Sequence, residues 1–186
     1  MRVESWRLSI YVKVVNIAFL CHFCVALTAT RSIVIKSRYQ LKSQKSKVVT
    51  LYSDGSSLGN PGPGGWGTIL EYNGHRKEIS GSLPETTNNR MELQAVIEGI
   101  KLLKEPCSVE VVTDSSYVAN AINSWLAGWV KKDFKKVKNV DLWREYLESA
   151  KEHSVKATWV RGHNGHPENE RCDYLATEAA KREKRS

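Results

Sequence analysis

A chain of 186 residues with 41% apolar and 26% charged side chains has the length of one domain plus an extension and the composition of an ordinary soluble protein. Its only cysteines, Cys21, Cys24, Cys107 and Cys172, exclude a disulfide-framed fold and suit a reducing compartment. The net charge of +8 sits at one end: residues 1–47 hold nine Lys/Arg against Glu4 alone, and residues 48–186 hold nineteen of each sign. Any attraction for a polyanion in the second part must therefore be local.

After Glu4 no acid appears before Asp54. Stretch 14–29 is mostly apolar but interrupted by Asn16 and His22, and its sixteen residues fall short of the ~20 that span a bilayer as a helix. A basic start, a short apolar run and small residues near Ala29 fit a signal peptide. The acid-poor, basic composition fits an organelle transit peptide. An upstream start codon would make the segment foreign to the protein. These readings stay open. Cys21-His22-Phe23-Cys24 lacks the second pair of a zinc site and reads as small apolar side chains. Residues 1–46 are expected to be an extension outside the fold, and 47–183 the domain. Membrane contact through 8–29 is the less favoured alternative.

From Lys47 the pattern turns regular. The β-branched and aromatic run 48–53 predicts a strand, and the Gly/Pro cluster 59–65 a loop. Strands over 66–72 and 76–81 flank Asn73-Gly74, a hairpin turn. Leu93, Val96, Ile97, Ile100 and Leu103 recur at helical spacing and predict a helix over 89–104. A strand over 109–113, helices over 117–125 and 140–152, a strand over 155–160 and a helix over 168–181 complete the order βββαβααβα. Such an order argues an α/β fold with a mixed sheet covered by helices.

Lys131, Lys132, Lys135, Lys136 and Lys138 crowd around Asp133, with Trp125, Trp129 and Phe134 nearby. A charge run alone is usually a solvated turn. Interleaved aromatics add flat surfaces to the phosphate attraction and raise the case for nucleic-acid contact.

Four acids stand where strands end or helices begin: Asp54, Glu92, Asp114 and Asp173. Each has a bland explanation. Asp54-Gly55 is a turn pair, and Glu92 follows Asn89 at capping-box spacing. Asp114 could cap the next helix, and Asp173 could favour the positive end of the last one. Asp173 shares a helical face with Ala176 and Ala180, which turns its carboxylate toward packed structure, where a charge needs a partner or an ion. Brought together, the four would repel one another and suit hard cations such as Mg²⁺ or Mn²⁺.

The set decides between these readings. Ser-Asp-Gly-Ser-Ser-Leu-Gly-Asn-Pro-Gly-Pro-Gly-Gly (53–65), Thr-Thr-Asn-Asn-Arg-Met-Glu-Leu (86–93), Thr-Asp-Ser-Ser-Tyr-Val (113–118), Lys-Asn-Val-Asp-Leu-Trp (138–143) and Arg-Gly-His-Asn-Gly-His-Pro-Glu-Asn-Glu-Arg-Cys-Asp (161–173) occur in this order. From Val48 to about Lys181 the chain closely resembles the bacterial-type ribonuclease HI group of the ribonuclease H family. The resemblance implies a ribonuclease H-like fold: a five-stranded mixed sheet, its first three strands antiparallel, flanked by helices. It implies a monomeric, cytoplasmic endonuclease that cuts the RNA strand of RNA–DNA hybrids with two Mg²⁺ ions, Mn²⁺ being an alternative, and leaves 5′-phosphate and 3′-hydroxyl ends. A genuine transit peptide in 1–46 would instead imply a mitochondrion or plastid.

On that resemblance Asp54, Glu92, Asp114 and Asp173 match the family's metal-binding carboxylates. His163 matches its loop histidine, which assists proton transfer or product departure, an apt task for an imidazole. Asn60, Thr87, Asn88 and Asn89 match polar positions that touch backbone or 2′-hydroxyls. Trp125, Trp129, Lys131, Lys132 and Phe134 match the basic protrusion that grips the DNA strand, although the protrusion is shorter here and Phe134 stands where a tryptophan is familiar. The alternative from another class is a non-cleaving or membrane-tethered nucleic-acid-binding module on the same scaffold. The complete carboxylate set and His163 argue against it.

Overall fold

The computed structural model describes residues 47–186; the extension 1–46, with its targeting and membrane readings, lies outside the described residues. Strands β1 (Val48–Ser57), β2 (Gly62–Tyr72) and β3 (His75–Thr86) form an antiparallel meander. Strands β4 (Ser108–Thr113) and β5 (Ser154–Trp159) add in parallel on the other side of β1, giving the order β3-β2-β1-β4-β5. This is the mixed sheet that the alternation of elements predicts. Asn73 and Gly74 turn the hairpin with φ of 49° and 76°, the left-handed pair that matches strand twist.

Helix α1 (Asn88–Lys101) buries Leu93, Val96, Ile97 and Ile100 against Leu51, Val109 and Val111. Full burial of each such side chain contributes about 1.5–3 kcal/mol. Helix α4 (Val140–Ala150) closes the same core with Leu142, Tyr146 and the fully buried Trp143, whose indole N–H donates to the Tyr117 hydroxyl at 2.7 Å. Helix α5 (Pro167–Arg185) covers the meander.

The helix expected over 117–125 is longer and interrupted. Helix α2 (Ser116–Asn120) passes through a π-helical turn (Ala121–Trp125) into α3 (Leu126–Lys131). At the turn's end the Leu126 N–H bonds the Ala121 carbonyl five residues back. One residue is thereby inserted, and Leu126 reaches the core while Trp125 stays at the surface.

The predicted loop 59–65 is partly strand, because β2 starts at Gly62. Glycine there serves close packing. A Cβ on Gly65 would lie 2.2 Å from the Ala176 carbonyl oxygen, and one on Gly67 2.5 Å from that of Cys172. Helix α5 therefore rests on backbone, and Asp173 comes down beside β1 and β2. No described helix is long and apolar enough to cross a membrane.

Candidate active site

β1 and β4 run in parallel register up to Ser53 opposite Thr113. Asp54 and Asp114 are the next residue on each, so adjacent strands deliver two acids to the same sheet end. Asp54 lies inside β1, not in a turn, and is 8% exposed. Its neighbour Gly55 is fixed by α1: a Cβ there would meet the Glu92 nitrogen at 2.1 Å. The first turn of α1 is thereby laid on β1, and Glu92 is brought to the same place.

Burial, and then the Asp114 charge, push the Asp54 carboxyl up from 3.8 to about 8; Asp173 and Glu92 push the same way. The Gly55 N–H, donating to Asp54 Oδ1 at 2.7 Å, opposes them. Burial also pushes Glu92 up, against hydrogen bonds from Ser115 and Asn88. A buried carboxyl pushed up by acids around it is costly to ionise without positive charge nearby.

Side-chain partners hold the cluster open. Ser115 Oγ and Asn88 Nδ2 donate to Glu92, Asn169 Nδ2 donates to Asp114 Oδ2 at 3.3 Å, and Thr177 Oγ1 donates to Asp173 at 3.3 Å. Among the described residues no three carboxylate, His or Cys groups already converge as an ion cage. The donor set nonetheless fits hard divalent cations. All four acids offer oxygen, and among the described residues no cationic side chain is bonded to the buried Asp54. The Asn169 carboxamide is 2% exposed and its oxygen has no partner among the described residues.

Several bland roles do not survive. The helix that follows Asp114 is capped by Ser115, whose Oγ accepts from the Val118 N–H, so Asp114 is no cap. Thr87, not Asn89, precedes α1, and Glu92 turns to Ser115 and Asn88 instead of closing a capping box. Asp173 lies in the second turn of α5 with Ala176 and Ala180 buried on its face.

Asn60, Thr87 and Asn89 line one small pocket, joined there by Lys138 and Asn139. Asn139 stands in the quoted motif 138–143 but is not among the predicted site residues; its left-handed φ of 56° at the start of α4 directs the chain there. Ser115 and Asn169 were likewise missed, although each stands in a quoted motif. His163 is exposed, with φ 51°, in the loop between β5 and α5. That loop reaches the cluster at Gly162, where a Cβ would lie 2.5 Å from Asp114 Oδ2.

Trp125 is 42% exposed, and Lys131, Lys132, Lys135 and Lys136 are exposed beside it. Trp129 is half-buried between Trp125, which it meets at a tilt of 43°, and Trp143, which it meets edge-on at 67°. Phe134 is a correction. It is buried in the core beneath the Arg144 guanidinium and offers no face to a ligand. The tight turn that follows α3 folds it inward, the Phe134 N–H bonding the Trp129 carbonyl at 2.8 Å.

A family model described as RNase H matches residues 46–181. The chain is 68% identical over 146 residues to a ribonuclease H of Sulfurovum sp. (strain NBC37-1), spanning 78% of this chain and 99% of that protein. It is 60% identical over 137 residues to a ribonuclease HI of Helicobacter pylori, 73% of this chain and 96% of that one. Among solved structures it is similar to LC9-RNase H1, described as a type 1 RNase H with the type 2 active-site motif. The TM-score is 0.69 and the identity 34%, with 74% of each chain covered.

Proposed function

This chain belongs to the ribonuclease H family, and from that membership we propose that it hydrolyses the RNA strand of RNA–DNA hybrids. The observation that carries the reading is the buried Asp54 among Glu92, Asp114 and Asp173, each raising its carboxyl. The family is metal-dependent, and Asp54, Glu92, Asp114 and Asp173 are the residues that would hold two Mg²⁺ ions, with Mn²⁺ as a substitute. Bound there, such ions supply positive charge to the attacking and leaving oxygens of an in-line displacement at phosphorus.

The protein's own groups do the rest. The pocket of Asn60, Thr87, Asn89, Lys138 and Asn139 offers amide and hydroxyl donors and one ammonium to a backbone phosphate. Asn88 holds Glu92 at the start of α1, and both suit the 2′-hydroxyl that distinguishes RNA from DNA. His163, in its exposed loop, gives or takes a proton at the departing 3′ oxygen. Cleavage on that side leaves a 5′-phosphate and a 3′-hydroxyl. Trp125 and the surrounding lysines hold the DNA strand by stacking and charge. The reading includes a monomer in a reducing, cytoplasmic compartment, supported by the free buried Cys107 and Cys172.

The deciding experiment offers labelled RNA–DNA hybrid, RNA duplex and DNA duplex to the protein with Mg²⁺ and with chelator. Cutting is expected only of the hybrid's RNA strand and only with the metal. Undiminished activity in EDTA, or equal cutting of duplex DNA, overturns the reading.

A further inference from the structure

At the far end of the sheet lies a cavity of about 250 Å³, between the start of β1, the β2–β3 hairpin and the chain that follows α1. Its wall is apolar: Val49, Leu70, Tyr72, Leu102, Leu103 and Cys107. Its rim is basic. Lys47, His75, Arg76, Lys77 and Lys104 surround it with a single acid, Glu105. Glu105 is paired with Lys47, and Arg76 with Glu71 and Glu78. Lys77 and Lys104 are exposed and make no ion pair among the described residues.

None of the four carboxylates lines this place. Val49 stands five residues before Asp54 on β1, roughly 17 Å at ~3.3 Å per residue. A phosphodiester backbone needs no apolar wall, and an apolar protein surface would bury two unpaired ammonium groups at a cost. What satisfies both features is a molecule with an apolar body and an anionic head. The volume lies just under the ~300 Å³ at which drug-sized sites begin, which favours a small one.

We propose that this cavity binds a small amphiphilic anion, its hydrocarbon body against Leu70, Leu102, Leu103 and Cys107 and its carboxylate or sulfonate between Lys77 and Lys104. Charge complementarity selects the head, and the apolar wall selects the body. The test titrates octanoate into the full chain and follows backbone amide shifts by NMR, with octan-1-ol as the uncharged control. Saturable shifts are expected at Leu102, Leu103 and Cys107. Octan-1-ol should bind about tenfold more weakly, as should octanoate to the Lys77→Glu/Lys104→Glu variant. Both lysines are exposed, so this variant should fold, and its hybrid cleavage should match the parent's. Absence of saturable shifts at millimolar octanoate overturns the proposal. So does equal binding of octan-1-ol, or a variant that binds octanoate like the parent. Dissociation of a dimer on titration would assign the cavity to a second copy of the chain instead.

Discussion

Asp54 carries a cost that a cation would relieve. Pushed up to about 8 mainly by burial, its carboxyl keeps a proton in the folded protein where the unfolded chain has lost one. That contribution to stability is full below about pH 4, the unfolded value, and is lost as pH rises through the folded value of about 8. Glu92 is displaced in the same direction. In chelator, the parent should therefore lose stability between pH 5 and pH 8, and Asp54→Asn should lose much less. At pH 8 the variant should be the more stable by at least ~1.4 kcal/mol, the worth of one pKa unit. Urea unfolding at both pH values measures this, and equal stability at pH 8 would remove the argument. Asp114 is not the helix cap, which Ser115 supplies, and under the proposed function it is a metal ligand. Asp114→Asn keeps the shape and deletes the charge, so hybrid binding should persist while turnover disappears. A variant retaining more than about a tenth of the parent rate, a loss of only ~1.4 kcal/mol, would show that Asp114 is not an essential ligand.

Elements differed in how far the sequence disclosed them. Strand 48–53, the Asn73-Gly74 hairpin and the face of Leu93, Val96, Ile97 and Ile100 were legible because apolar periodicity directly records which side meets the core. The start of β2 is not legible locally because Gly62, Pro63, Gly64 and Gly65 look like loop; Gly65 answers to Ala176 and Ala180 of α5, more than a hundred residues away in sequence, and Gly64 to Thr86 and Met91. Chain-distant contact also hid Ser115 and Asn169, whose site role consists of holding Glu92 and Asp114. Phe134 was misplaced because an aromatic inside a lysine run looks like a ligand surface until the turn after α3 folds it inward. The π turn left no local signal, yet it sets Asn123 against the outermost strand. Asn123 Nδ2 donates to the Ala157 carbonyl at 2.7 Å, and Oδ1 accepts the Ala157 N–H at 3.0 Å. One side chain thus satisfies an open position on the edge of β5, a device that discourages pairing between copies. Asn123→Ala should lower stability by about 1 kcal/mol, since these bonds are exposed and water replaces part of them. It should also increase self-association. Light scattering and thermal unfolding of the variant check both; an unchanged midpoint with no aggregation would leave Asn123 without this role.

At the scale of the whole molecule the two concentrations of positive charge make opposite claims. Nine of the basic side chains belong to residues 1–47, and the remaining nineteen are balanced by nineteen acids. Bulk charge therefore cannot say which end meets the hybrid. Position can. Lys131, Lys132, Lys135 and Lys136 are exposed around Trp125, on the short arm that follows the π turn, and Arg144 pairs with Asp133, the acid in their midst. The active-site end of the sheet gathers Asp54, Glu92 and Asp114 from β1, α1 and the end of β4. Removing residues 1–44 should leave hybrid affinity and turnover nearly unchanged. Changing Lys131, Lys132, Lys135 and Lys136 to Ala should weaken binding and flatten its salt dependence, by up to ~0.7–0.9 in slope for each phosphate no longer neutralised. Chemistry at saturating hybrid should survive, because these lysines are not among the carboxylates' partners. Plots of log affinity against log salt for both variants decide the matter. A large slope change in the truncation with none in the lysine variant would mean that the hybrid is held by the extension, and that the exposed lysines of the arm are a solvated turn and nothing more.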